Sequence, residues 1–255
     1  MSTVMITGAS SGFGEACAEK FSETASVMIL IARNIEKLNL LASRLSGRCK
    51  IIIAAVDVSS TESVECFFSA HKSSIQDVDV LINSAGLALG LDLAEEADID
   101  DWERMVDTNI KGLLRVTKNA LPAMIHRNKG HIINIGSTAG SWPYPGGNVY
   151  GGSKAFVKQF SRGLRADLLG KSIRVTNIEP GMAKTNFSNV RFSGDAEQAD
   201  EVYRGTEPIQ AKDVADIIHW VTTQPLHINI NSLEVMPLCQ SWGALSVNRD
   251  MELSG

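Results

Sequence analysis

One pattern constrains this chain more than any other. Short apolar runs rich in β-branched residues recur along it, and segments of helical length with an apolar stripe lie between them. The runs are Val4–Ile6, Val27–Ile31, Ile51–Val56, Val80–Ile82, Ile132–Ile135, Ile173–Ile178 and Ile228–Val235. Helices are expected over roughly Phe13–Glu23, Ile35–Leu45, Ser60–Ser73, Asp101–Arg127, Tyr150–Leu169 and Ala211–Thr222. Most runs are apolar at successive positions, which suits parallel strands covered on both faces. Strand, helix, strand, repeated in this way, predicts an α/β fold with a doubly wound, parallel, seven-stranded sheet. No repeat, low-complexity tract or flexible linker divides the chain, so residues 1–255 read as one domain. Ser60, Asp100 or Asp101, and Lys212-Asp213 are the expected helix starts. Pro122 should bend or end the long helix that contains Trp102. Residues 181–208 lack a periodic pattern, and a stretch that long inside a compact domain reads as a substrate lid.

Charge narrows the partners. Lys and Arg number 24 against 29 Asp and Glu, a net −5. That balance argues against nucleic acid or an anionic membrane as the main partner. No apolar stretch reaches the ~18 residues of a spanning helix. The opening Met1-Ser2-Thr3-Val4 has no basic, cleavable leader, so a cytoplasmic location is expected. Four cysteines without a CxxC and five histidines without paired spacing predict reduced thiols and no metal site.

The first strand runs into Thr7-Gly8-Ala9-Ser10-Ser11-Gly12-Phe13-Gly14, and a helical pattern follows. Glycines let a backbone approach a pyrophosphate closely, and a helix N-terminus offers it unpaired N–H groups. At the first strand–helix junction of such a sheet, this turn marks a dinucleotide site of the Rossmann fold. An acidic residue at the tip of the second strand would take the ribose 2′-hydroxyl of NAD; here the tip reads Ile31-Ala32-Arg33-Asn34. The Arg33 guanidinium suits a 2′-phosphate instead, so NADP is favoured over NAD.

Tyr150 and Lys154 stand one helical turn apart. A free tyrosine has a pKa of about 10. A lysine cation nearby is expected to lower it and make the phenol a usable acid and base. Ser137 follows the strand Ile132–Ile135 and Asn83-Ser84-Ala85-Gly86 follows the strand Val80–Ile82, at strand ends where α/β sheets bind ligands. Asn109 is a poor helix former inside a helix, which suggests a specific task.

Taken in order, Thr7-Gly8-xxx-Gly12-x-Gly14, Asn83-Ser84-Ala85-Gly86, Asn109, Ser137, Tyr150-xxx-Lys154 and Pro180-Gly181 resemble the short-chain dehydrogenase/reductase family over nearly the whole chain. Gly86–Gly90, Gly130–Tyr150 and Phe187–Phe192 are similar, more closely, to its NADP-dependent 3-hydroxy acid dehydrogenases. The resemblance implies a catalytic tetrad. Tyr150 would exchange the proton, Ser137 would hold the substrate oxygen, Lys154 would tune Tyr150 and bind the nicotinamide ribose, and Asn109 would hold a water of a proton relay. It also implies cofactor contacts from Gly8, Ser10, Ser11, Gly12, Phe13, Gly14, Arg33, Asp57, Val58, Ser84, Ala85, Gly86, Tyr150, Lys154, Pro180, Gly181, Thr185 and Phe187. A homotetramer acting on a small hydroxy acid is implied too. Three departures stand out. Ser84 replaces the usual second Asn, Asn34 follows Arg33 where a second basic residue is common, and Met182–Thr185 is one residue shorter than expected.

A hydroxy acid substrate needs a counter-charge. Lys184 and Arg191 both fall in the expected lid, and Arg191 is favoured because a planar guanidinium suits a carboxylate. Trp142, Pro143 and Tyr144 are expected to wall the pocket. Two alternatives stay open at this point: a reductase of another carbonyl compound, and an NADP-binding sensor without catalysis on the same fold.

Overall fold

The structure is a computed structural model, and it describes residues 2–192 and 194–243. Strands β1 (Thr3–Thr7), β2 (Val27–Ala32), β3 (Lys50–Ala55), β4 (Val78–Asn83), β5 (Gly130–Ile135), β6 (Ile173–Pro180) and β9 (Ser232–Val235) form one parallel sheet in the order β3-β2-β1-β4-β5-β6-β9. A second, two-stranded sheet pairs β7 (Ala183–Lys184) with β8 (Ile209–Gln210). The helices are α1 (Gly12–Phe21), α2 (Ile35–Arg44), α3 (Thr61–Ala70), α4 (Lys72–Ile75), α5 (Ile99–Val106), α6 (Leu113–Arg127), α7 (Asn148–Asp167), α8 (Phe187–Arg191), α9 (Ala196–Glu201) and α10 (Ala211–Thr223).

The successive apolar residues of the strands serve two cores at once. On one face Val4, Ile6, Met28 and Leu30 pack with Phe21 of α1 and Ile218 of α10. On the other Met5, Ile29, Ile31 and Leu81 pack with Phe67 of α3 and Met124 of α6. All four strand residues named for each face are fully buried, and each such side chain contributes roughly 1.5–3 kcal/mol. The expected doubly wound parallel sheet is therefore present. The final stretch, 244–255, of the expected single domain lies outside the described residues.

Several local expectations are corrected. Pro122 does not end α6, which continues to Arg127. Ala120 and Met124 on either side are fully buried, and that packing outweighs the lost backbone hydrogen bond. The cap of α5 is Asp98, not Asp100 or Asp101; its side chain accepts from Asp100 N at 2.9 Å. Asp213 acts from inside its helix, accepting from Gln210 N at 2.8 Å, while Ser60 caps α3 as expected. The last sheet strand is shorter than Ile228–Val235. The Asn229 side chain takes both backbone groups of Val175, at 2.8 and 2.9 Å, in place of strand pairing. The expected lid carries α8 and α9; its Ser193 lies outside the described residues. Among the described residues no helix is long and apolar enough to cross a membrane.

Candidate active site

The strand order reverses on either side of β1, and there the turns after β1 and β4 separate. A cavity of about 700 Å3 opens at the carboxyl ends of the strands. Thr7 at the tip of β1 fixes its floor, because its hydroxyl accepts from Ser84 N at 3.0 Å and Ala85 N at 2.9 Å. Gly8 has φ +65°, and a Cβ there would lie 2.9 Å from Ala85 Cα. Gly14 lets α1 sit on the turn: its Cβ would lie 2.4 Å from Gly8 O. Ser11 precedes α1 with an extended backbone and makes no side-chain cap bond to it. The first N–H groups of α1 are therefore open to an anion. Ser10, Ser11, Gly12 and Phe13 all line the cavity. Thr185 closes over them; a Cβ on Gly12 would lie 3.5 Å from Thr185 Cβ.

Arg33 is exposed on the cavity wall and forms no ion pair among the described residues. Asn34 caps α2 by accepting from Lys37 N at 2.9 Å, which brings the Lys37 side chain onto the same wall. Sequence reasoning missed this second cation; its signal was a lysine in the first turn of α2, three residues after the Asn34 cap. Asp57 and Val58 line the cavity, with the Asp57 carboxylate engaged by Ser59 N and Oγ at 2.9 and 2.6 Å. Ser84, Ala85, Gly86, Pro180, Gly181 and Phe187 line it as well. The cradle, its free helix N-terminus and the cationic wall fit a dinucleotide with a further phosphate.

Three parts of the fold bring the expected tetrad together: the end of β5, the helix α7 and the turn between α5 and α6. Ser137, at the end of β5, accepts from Ala139 N at 3.1 Å and faces Pro180 O at 3.5 Å. Lys154 is almost fully buried on α7 and donates to Ile135 O at 2.8 Å. Asn109 lies in a π turn, Asp107–Gly112, that joins α5 to α6. Its Oδ1 accepts from Leu87 N at 2.9 Å, and its Nδ2 donates to Leu87 O at 2.8 Å and Ser153 Oγ at 3.0 Å. Both amide hydrogens are thus engaged, and Oδ1 retains one lone pair. A Cβ on Gly86 would lie 3.3 Å from Asn109 Oδ1 and 3.5 Å from Lys154 Nζ, so both groups crowd the same glycine.

Tyr150 departs from expectation in one respect. Burial pushes its phenol up to about 12, and the Ser137 hydroxyl and the Arg191 charge pull the other way. Lys154 Nζ lies 5.8 Å from the ring centroid. Burial lowers Lys154 itself to about 8, so enclosure outweighs the expected acidification by that lysine.

The two cations of the expected lid separate. Lys184 lies over the Tyr203 ring at 5.7 Å, with Asp200 at 3.9 Å, and is not part of the cavity wall. Arg191 is in the wall. It donates from Nη2 to Tyr144 OH at 2.8 Å, and its buried Nε has no partner. Trp142, Pro143 and Tyr144 line the cavity as expected. Trp242 and Gln240, which were not foreseen, join them from the segment after β9. Trp142 and Trp242 both donate to Glu234, at 2.9 and 3.0 Å, and Gln240 Oε1 accepts from Met182 N at 2.7 Å.

Known proteins are similar to this chain in sequence and in fold. The family model described as short chain dehydrogenase matches residues 2–196. The NADP-dependent 3-hydroxy acid dehydrogenase YdfG of Salmonella typhi is 49% identical over 96% of this chain and 99% of its own. Sulfoacetaldehyde reductase 2 of Chromohalobacter salexigens is 48% identical over 97% of this chain and 98% of its own. A solved structure, the closed form of serine dehydrogenase complexed with NADP+, superposes with a TM-score of 0.93 at 47% identity, covering 97% of this chain and 100% of that one. On its motifs, its fold and these matches, the chain belongs to the short-chain dehydrogenase family.

Proposed function

We propose that this protein is an oxidoreductase that transfers a hydride between NADP(H) and a 3-hydroxy acid or its semialdehyde or 3-oxo acid. One observation carries the reading: Ser137, Tyr150, Lys154 and Arg191 converge on the single cavity whose floor is the glycine turn. The relatives named above support it, since a 3-hydroxy acid, serine and sulfoacetaldehyde all bear an acid group. Arg191, with a buried donor and no partner for it, is the group we assign to that anion.

Gly8, Ser10–Gly14, Ser84–Gly86, Pro180, Gly181, Thr185 and Phe187 would hold the dinucleotide, Arg33 with Lys37 its 2′-phosphate, and Asp57 and Val58 its adenine. When bound, the nicotinamide supplies or accepts the hydride. Ser137 and the Tyr150 hydroxyl hold the substrate oxygen and oppose the charge that develops on it. Tyr150 gives that oxygen a proton in reduction and removes it in oxidation. A phenol kept protonated by burial is poised for the reductive direction. Lys154 and Asn109, gathered around Gly86, would return the proton to Tyr150 through water. The reading extends to a cytoplasmic homotetramer, which size-exclusion chromatography and fractionation of the native cell would test.

Initial rates with NADP and NAD over L-serine, other 3-hydroxy acids and uncharged alcohols test the proposal. It predicts NADP-dependent turnover that favours the acids. Tight NADPH binding without turnover on any of them would point to a sensor and defeat it.

A further inference from the structure

Two cations flank the Tyr150 ring, and they come from different elements. Lys154 shares α7 with the tyrosine, and its Nζ lies 5.8 Å from the ring centroid. Arg191 comes from α8, with its guanidinium carbon at 5.2 Å. Rings enclose that guanidinium: Tyr144 at 5.9 Å and Phe187 at 5.4 Å complete the cage. Arg191 makes no ion pair among the described residues, so no carboxylate offsets its charge. Lys154, by contrast, already gives a hydrogen bond to the Ile135 carbonyl.

Among the described residues, the other neighbours of Tyr150 bring no formal charge. Ser137 faces it from the end of β5 and Tyr144 from the loop before α7. The Phe187 ring of α8 lies 5.5 Å from its own. Tyr150 packs against an apolar cluster of Leu87 and Ala88 after β4 and Met105 of α5, to which Trp102 and Val149 also belong. In such surroundings one uncompensated cation acts over several ångströms with little screening.

We propose that Arg191, besides meeting the substrate anion, is the second cation of the acid–base centre and favours the ionised form of Tyr150. It acts on the reaction through Tyr150, as a positioning residue. The enclosure of the phenol raises its affinity for the proton, and the Arg191 charge opposes that rise. An acid substrate seated on Arg191 partly cancels the charge and strengthens the hold of Tyr150 on its proton. Substrate binding and proton affinity are thereby linked. The inference rests on the assignment of Tyr150 as the acid and base.

Its test is the ionisation of Tyr150 in the complex with NADP+. Tyrosinate absorbance is followed against pH as a difference from Tyr150→Phe, in the wild-type protein, Arg191→Gln, Arg191→Met and Arg191→Lys. This reading needs no turnover; the pH dependence of kcat/KM for oxidation of 1-propanol, which has no carboxylate, is measured beside it. Both midpoints should rise by about one pH unit in Arg191→Gln and Arg191→Met. Both should stay near the wild-type value in Arg191→Lys, although KM for L-serine increases there. Wild-type midpoints in both neutral variants would overturn the inference while leaving Tyr150 its role. A pH limb that persists unchanged in Tyr150→Phe would instead remove the acid–base assignment beneath it.

Discussion

Replacing Gly14 with alanine tests the floor of the site with a single methyl group. The added Cβ would stand 2.4 Å from Gly8 O and 2.7 Å from Gly8 C, whereas ordinary contact begins at 3.4 Å. Both neighbours are backbone, so no side chain can swing away. The first turn of α1 must retreat by about 1 Å (3.4 − 2.4) from the tip of β1. That is the distance over which the N–H groups of α1 would grip a pyrophosphate, and a 1 Å misplacement costs on the order of 100-fold. We expect kcat/KM for NADP to fall by about that factor, equivalent to about 2.7 kcal/mol, with kcat/KM for NAD falling equally because the pyrophosphate is common to both. The assays are NADPH binding by fluorescence and initial rates with each cofactor. Gly163→Ala on α7 is the control. It is exposed, and a Cβ there meets nothing within 4 Å. In a helix interior the exchange should add about 0.5–1 kcal/mol of stability, read as a higher Tm. Wild-type NADPH affinity in Gly14→Ala would refute the reasoning, since the helix would then have had room to spare.

Two further changes have outcomes set by charge. Arg33→Ala should raise KM for NADP roughly 10- to 100-fold, the value of a hydrogen bond to a charged group, and leave KM for NAD nearly unchanged; equal changes for both cofactors would reject the 2′-phosphate role. His131, buried in β5 with Nε2 2.8 Å from Thr176 Oγ1, is pushed from 6.5 down to about 3 by burial first and the Arg174 charge second. Its folded value is depressed, so below about 6.5 the unfolded chain binds a proton that the folded chain refuses until about 3, and native stability falls as pH drops through that window. Between pH 6.5 and 5 the loss should be about 1.6 kcal/mol. Urea unfolding of the wild-type protein and His131→Gln at both pH values checks it; an equally steep decline in the variant would count against the assignment.

The parts of the fold that were legible in the sequence are those written in local patterns. Successive apolar residues such as Met28–Ile31 announce a strand covered on both faces, and the glycines announce the turn because Gly8 and Gly14 approach backbone too closely for a Cβ and Gly12 has φ +57°. What stayed hidden depends on contacts across the chain. Pro122 breaks a local rule that the buried neighbours Ala120 and Met124 override. Asn109 looked misplaced in a helix, but nothing local shows that a π turn turns its amide toward Leu87. The Trp142–Glu234–Trp242 bridge spans up to 92 positions in the sequence, and no periodicity can encode it. Lys154 was expected to dominate Tyr150 because it sits one turn away. The competing effects of burial and of Arg191, 41 positions on, emerge only when the folded chain brings them together.

The central claim is that the Tyr150 oxygen exchanges the proton while the protein holds substrate and dinucleotide around it. The most direct measurement is the turnover number of Tyr150→Phe with NADP and L-serine, taken together with its NADPH dissociation constant. A proton donor and acceptor of this kind contributes roughly 100- to 10,000-fold, so kcat should fall within that range while NADPH binds as tightly as in the wild-type protein. A kcat within a few-fold of wild type would contradict the account.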